Sequence, residues 1–112
     1  MRGATVHEDA RGIVLELQWQ KYRPVRGRYA RQIIVVDERG RTVDKQDDMS
    51  LSAVFGLNKW LLGQVIVDTY RLRPPAGVSQ LTARIAWVTR DKQGPILVND
   101  GSRFIEIPLL HR

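Results

Sequence analysis

Two segments of this chain alternate apolar and polar residues with a period of two, and that period decides what the chain can fold into. In GIVLELQWQ, residues 12–20, Ile13, Leu15, Leu17 and Trp19 face one way, while Glu16, Gln18 and Gln20 face the other. In QLTARIAWV, residues 80–88, Leu81, Ala83, Ile85 and Trp87 share a face. Successive side chains of an extended chain point to opposite sides, so each segment reads as a strand with one face in a core. No segment shows a sustained helical period.

The rest of the chain fits the same scheme. YARQIIVVD, residues 29–37, is continuously apolar from Ile33 to Val36, which predicts a strand buried on both faces or placed centrally. Asp37 to Gly40, DERG, is a turn that places glycine where a positive φ is needed. RTVDKQ, residues 41–46, returns as a polar edge strand. QVIVDTYRL, residues 64–72, is a strand that RPPAG terminates, because proline has no amide to donate to a ladder. PILVN and RFIEIPLL supply two more strands around an Asn-Asp-Gly hairpin signal, with Pro108 placing the last one at an edge or marking a position near its end, and with Ile105, Ile107 and Leu109 in phase. Residues 47–59 read as a crossing loop with at most one helical turn, and residues 1–11, which lack periodicity, as a flexible arm. The expectation is an all-β protein, an immunoglobulin-like two-sheet antiparallel β-sandwich of about seven short strands filling residues 12–112 as a single domain.

The 112 residues suffice for one core without staples. Cysteine is absent, which removes disulfides, thiol chemistry and cysteine–zinc sites together. The net charge is +6, and arginine supplies 14 of the 18 basic residues. The densest basic run is KYRPVRGRYAR, with Lys21, Arg23, Arg26, Arg28 and Arg31, no acid, and Tyr22 and Tyr29 between them. Such a run is a solvated surface, a phosphate-binding stripe, or a face for an anionic membrane or glycan.

Few residues suggest chemistry. His7 and His111 lie near the chain ends, outside any patterned element. No phosphate-cradling glycine loop, nucleophile elbow or paired-histidine zinc motif occurs. Asp44, Asp47 and Asp48 form the one carboxylate cluster; calcium needs six to eight oxygens, and three acids without a glycine-pinned loop leave loop solvation as the alternative. Asp68 interrupts the β-favouring VIVDTY. It shares a strand face with Ile66 and Tyr70, and three roles are open to it. These are a structural carboxylate near a sandwich end, bonded to an arginine or a loop backbone; a solvated outer-face residue; or a catalytic group. The first is the expectation, because a buried carboxylate is costly unless paired. Trp19 and Trp87 belong to the core by phase, whereas Trp60 falls outside the alternation: it either plugs the end of the sandwich or, as the best candidate among the tryptophans, forms an exposed ligand platform.

The order LELQW, YARQIIVVDERGRTVDKQD, WLLGQVIVDTYRL, PPAG, LTARIAWV and ILVNDGSRFIEI resembles a β-sandwich domain of bacterial multi-span membrane proteins. Those proteins are similar to the dolichyl-phosphate-mannose class of glycosyltransferases. The resemblance spans residues 12–110 and rests on a D-x-x-G turn, W-x-x-G, a strand containing D-x-Y, a Pro-Gly turn and a late D-G hairpin. It implies an extracytoplasmic accessory domain, attached to the bacterial membrane through the rest of a parent protein whose membrane portion carries any catalysis.

The functional expectation is therefore a non-catalytic accessory or interaction domain without a cofactor. Its partners would be the membrane-embedded remainder of the parent chain or another envelope component. The alternative is a carbohydrate- or polyanion-binding module using Trp60, Tyr22, Tyr29 and the basic residues Lys21, Arg23, Arg26, Arg28 and Arg31. No sequence-specific nucleic acid partner is expected.

Overall fold

The computed structural model describes residues 3–20, 29–48, 63, 65–89 and 104–111. These residues form seven antiparallel strands: β1 (Gly3–Asp9), β2 (Gly12–Gln20), β3 (Tyr29–Asp37), β4 (Thr42–Asp48), β5 (Val65–Leu72), β6 (Gln80–Thr89) and β7 (Ile105–His111). One sheet has the order β1-β2-β5 and the other β4-β3-β6-β7, and the two pack as a sandwich.

The inner faces follow the alternation. Leu15, Leu17 and Trp19 of β2 lie opposite Tyr70, Asp68 and Ile66 of β5. In the facing sheet Arg31, Ile33 and Val35 of β3 lie opposite Trp87, Ile85 and Ala83 of β6. All of these except Ile66 are buried, and Ile66 packs against the same cluster. Each fully buried aliphatic or aromatic side chain contributes about 1.5–3 kcal/mol. Trp19 and Trp87 meet edge-to-face with ring centroids 5.2 Å apart. In this cysteine-free chain that contact joins the second and sixth strands, which a disulfide joins in antibody domains.

Three details depart from the sequence expectation. Residues 3–9, expected as part of a flexible arm, form β1, laddered to β2 from Gly3–Gln18 to Asp9–Gly12. Nearly all of β1 is exposed, so neither face is buried and no alternation marks it in the sequence. Backbone bonding holds it, with Asp9 accepting from the Arg11 amide at 2.8 Å in the hairpin turn and from Arg71 of β5 at 2.7 Å. Next, β4 runs on through Asp47 and Asp48, which pair with Gln32 and Arg31, so the crossing loop cannot start at residue 47. Last, Leu109 and Leu110 are adjacent yet both buried, against a strict period of two, because the ladder to β6 slips by one residue there, next to Pro108. The PILVN strand, the Asn-Asp-Gly hairpin and most of the 47–59 segment lie outside the described residues.

Other expectations hold. β3 is central, β4 and β7 are edges, and the β3–β4 turn has Gly40 at φ 77°. Asp37 fixes that turn by accepting from the Arg39 and Arg41 amides, each at 2.9 Å.

Candidate functional site

The polar residues inside the sandwich lie between β5 and the β3–β4 edge. Asp68 is 5% exposed and Arg31 1%. Arg31 donates Nε to Asp68 Oδ2 at 2.6 Å and Nη2 to Oδ1 at 2.8 Å, a bidentate pair that spans the two sheets. Trp19 Nε1 donates to the same Oδ2 at 3.2 Å. Arg31 Nη1 reaches Gln46 Oε1 on β4 at 2.8 Å. One residue pair along, the Tyr70 hydroxyl donates to Asp44 Oδ2, again from one sheet to the other.

Strand parity produces this seam. Asp68 and Tyr70 lie two apart on β5 and so share its inner face, while Arg31 is in phase with Ile33 and Val35 on β3. A carboxylate and a guanidinium removed from water are tolerated because the fork geometry satisfies both charges at once. Among the described residues no buried side-chain nitrogen or oxygen lacks a hydrogen-bond partner.

The chemistry available here is bracing. Burial pushes the Tyr70 phenol well above its ordinary range, and the neighbouring Asp44 carboxylate adds to the shift, so the hydroxyl stays protonated and donating. Asp68 has both oxygens engaged by groups of the protein itself and is closed off from solvent. The carboxylates with lowered pKa lie outside this seam. Asp9 is held down by Arg71 and the Arg11 amide, and Asp37 by the amides of Arg41 and Arg39. Glu38 is held down by backbone amides, its own first and then those of Gln80 and Ser79.

Arg31 is a correction. It was expected among the exposed basic residues of a ligand surface, but its phase on β3 carries the guanidinium inward, where Asp68 neutralises it. Asp68 itself sits in the middle of β5, paired with Leu17, rather than at a sandwich end. Lys21, Tyr22, Arg23, Arg26, Arg28 and Trp60 lie outside the described residues. Tyr29 opens β3, paired with Thr89. His7 and His111 each belong to a strand, opposite Val14 and Gln80. Asp44 is engaged by Tyr70, and among the described residues no three His, Asp or Glu side chains converge as metal ligands.

The sequence held signals for what was missed. Counting back by two from Ile33 places Arg31 on the buried face, and the shared parity of Asp68 and Tyr70 marks both as facing the second sheet. Comparison with protein-family models, with curated proteins and with solved structures gives no match.

Proposed function

We propose that this chain is a non-catalytic β-sandwich accessory or interaction domain, an extracytoplasmic part of a larger membrane-attached protein. The observation that carries the interaction reading is where the strand ends put the charge. The connections 21–28, 49–64 and 90–104 all leave strands at one end of the sandwich: β2 at Gln20, β4 at Asp48 and β6 at Thr89. Gln20 pairs with Val65, Asp48 with Arg31, and Thr89 with Tyr29. The Trp19–Trp87 contact, next to the last residues of β2 and β6, brings these ends of the two sheets together. The three connections contain eight basic and two acidic residues, which leaves ten of each sign in the rest of the chain. The whole net charge of +6 therefore belongs to connections rooted at one pole.

That polarity supports a surface for an anionic partner. Attachment to a membrane protein and placement outside the cytoplasm are supported by the sequence resemblance. The non-catalytic reading is supported by Asp68, Arg31, Tyr70 and Asp44 bonding to one another across the sheets. The same polarity also favours a second reading, a glycan- or polyanion-binding module built on Lys21, Arg23, Arg26 and Arg28 without Arg31.

Retention on an immobilised sulfated glycan tests the pole. Lys21, Arg23, Arg26 and Arg28 changed together to Gln should elute at clearly lower salt than the parent chain. Arg39, Arg41 and Arg73, at the opposite end, changed to Gln should elute close to it. Equal losses in both variants would refute a polar interaction surface.

A further inference from the structure

We infer that the outer face of the four-stranded sheet, centred on the transverse row Lys45–Ile34–Arg84–Glu106, binds the same face of a second copy of this chain about a two-fold axis parallel to the strands. This surface is distinct from the charged pole, and the inference stands whether or not that pole binds an anion.

Strand pairing places these four residues side by side, one from each strand. Lys45 on β4 pairs with Ile34 on β3, Ile34 with Arg84 on β6, and Arg84 with Glu106 on β7. Their chain neighbours show which way they point. Asp44 and Gln46 reach inward to Tyr70 and Arg31, Ile33, Val35, Ala83 and Ile85 are core, and Ile107 packs against that core. Alternation therefore directs Lys45, Ile34, Arg84 and Glu106 outward. The run from Ile33 to Val36 is apolar without interruption, as in a strand covered on both faces. The sandwich covers Ile33 and Val35. Ile34 is left half-buried on the outside, with Ala86 half-buried two residues along β6 from Arg84 and Phe104 45% exposed. The outer face of the other sheet is polar at its centre, where Thr5, Glu16 and Thr69 lie in one row.

The placement of charge marks the occupant as a second copy. Lys45 and Glu106 are both exposed and stand on the two edge strands of the sheet, in one row and equally far from its midline between β3 and β6. Three strand spacings, about 14 Å, keep them from pairing within one copy. Turning a second copy about an axis along the strands lays β4 over the partner's β7 and β3 over the partner's β6. Lys45 then faces the partner's Glu106, and Glu106 faces the partner's Lys45. Packed sheets lie about 10 Å apart, a gap that a lysine and a glutamate side chain span together. Ile34 meets the stem of the partner's Arg84, because the Arg84 guanidinium is turned to the β7 side, 6.0 Å from the Phe104 ring centroid. A partner of uniform charge would match only one of the two edges.

The size of the face sets the strength. Four strands at about 4.8 Å spacing and about six residues at 3.4 Å rise cover about 19 by 20 Å. That is small for a specific interface, so the dimer is weak and forms at high concentration. The two ion pairs lie at its rim, where they fix register and choice of partner more than affinity.

Sedimentation equilibrium of the intact 112-residue chain, from about 10 μM to about 1 mM, is the test. The apparent mass should rise with concentration from 12.8 kDa towards twice that value. Lys45→Glu and Glu106→Lys, each alone, put like charges opposite one another at both edges of the dimer and should weaken association about tenfold or more. An equimolar mixture of the two variants should associate as the parent does, because the mixed pair restores opposite charges at each edge. Val67→Arg, on the outer face of the other sheet, should leave association unchanged. All three substituted residues are exposed, and circular dichroism checks that each variant keeps the parent fold. A chain still monomeric at ~1 mM would overturn the inference. So would association that neither charge reversal weakens, a mixture of the two that fails to recover it, or its loss in Val67→Arg.

Discussion

Replacing Asp68 with Asn tests the inter-sheet brace most sharply. The substitution keeps the shape of the side chain and removes its charge. Arg31, 1% exposed, would then keep its charge without the counterion at 2.6 Å. The amide can offer its oxygen to only part of the fork, and its NH2 group would face a donor, either the guanidinium or Trp19 Nε1. Breaking a buried pair by removing one partner costs about 3–5 kcal/mol, well above the figure for an ordinary hydrogen bond. Against a total stability of about 5–15 kcal/mol, this is a large fraction. Urea denaturation followed by tryptophan fluorescence is the assay, because Trp19 and Trp87 are both buried beside the pair. With a slope of about 1.5 kcal/mol per molar for a domain this size, the midpoint should fall by about 2–3 M. Arg31→Met with Asp68→Leu removes both charges and should recover most of the loss, since apolar replacement of a buried ion pair is often neutral or better. A change within about 0.5 kcal/mol for Asp68→Asn would refute the brace. A double variant as unstable as the sum of the single ones would refute the buried-charge explanation.

Other perturbations test separate parts of the fold. Trp87→Ala should cost about 3–5 kcal/mol through a cavity beside Trp19, read as a lowered urea midpoint. Gly12→Ala should cost more than Gly40→Ala in the same assay. Both glycines have positive φ, but a Cβ at Gly12 would come 2.4 Å from the Leu72 carbonyl oxygen, whereas at Gly40 it meets open space, and strain alone costs about 1 kcal/mol. Alkaline pH should also destabilise the protein through Tyr70. Its folded pKa is raised above the unfolded value of about 10, so the unfolded chain releases the proton first. The Tyr70 contribution is complete below pH 10 and falls above it, by up to about 1.4 kcal/mol per pH unit. Tyr70→Phe should flatten that slope, and an unchanged slope in a pH series of denaturation curves would show that Tyr70 is not its source.

How much of this could be read from the sequence depended on burial. β2 and β6 are each apolar on the face that meets the other sheet, so period-two alternation fixed their orientation and identified Trp19 and Trp87 as core. Asp37 and Gly40 announced their turn because a carboxylate that caps amides and a residue free to take positive φ are chemically specific. β1 was illegible for the opposite reason: an exposed edge strand is selected by backbone pairing, and backbone pairing leaves no pattern in side chains. Arg31 was misread because it adjoins a loop rich in exposed arginines, and local charge density hid a parity that Ile33 and Val35 made available. Asp68 could be identified as a carboxylate in need of a partner, but naming Arg31 required the pairing of β3 with β6 and the stacking of two sheets, which are long-range facts. Similarly, the basic residues of 21–28 were conspicuous along the chain, yet that β2, β4 and β6 end at one pole is set by long-range strand pairing.

That shared pole is the central functional claim, and amide chemical-shift mapping tests it most directly. The intact chain, labelled with 15N, is titrated with a soluble anionic lipid headgroup analogue or a short sulfated glycan. The perturbed amides among the strands should be those at the pole, including Gln20, Tyr29, Asp48, Val65 and Thr89. The amides of Arg11, Gly40 and Gly77 should stay in place. Shifts concentrated at those three turns, or spread evenly over both ends of the sandwich, would contradict the account.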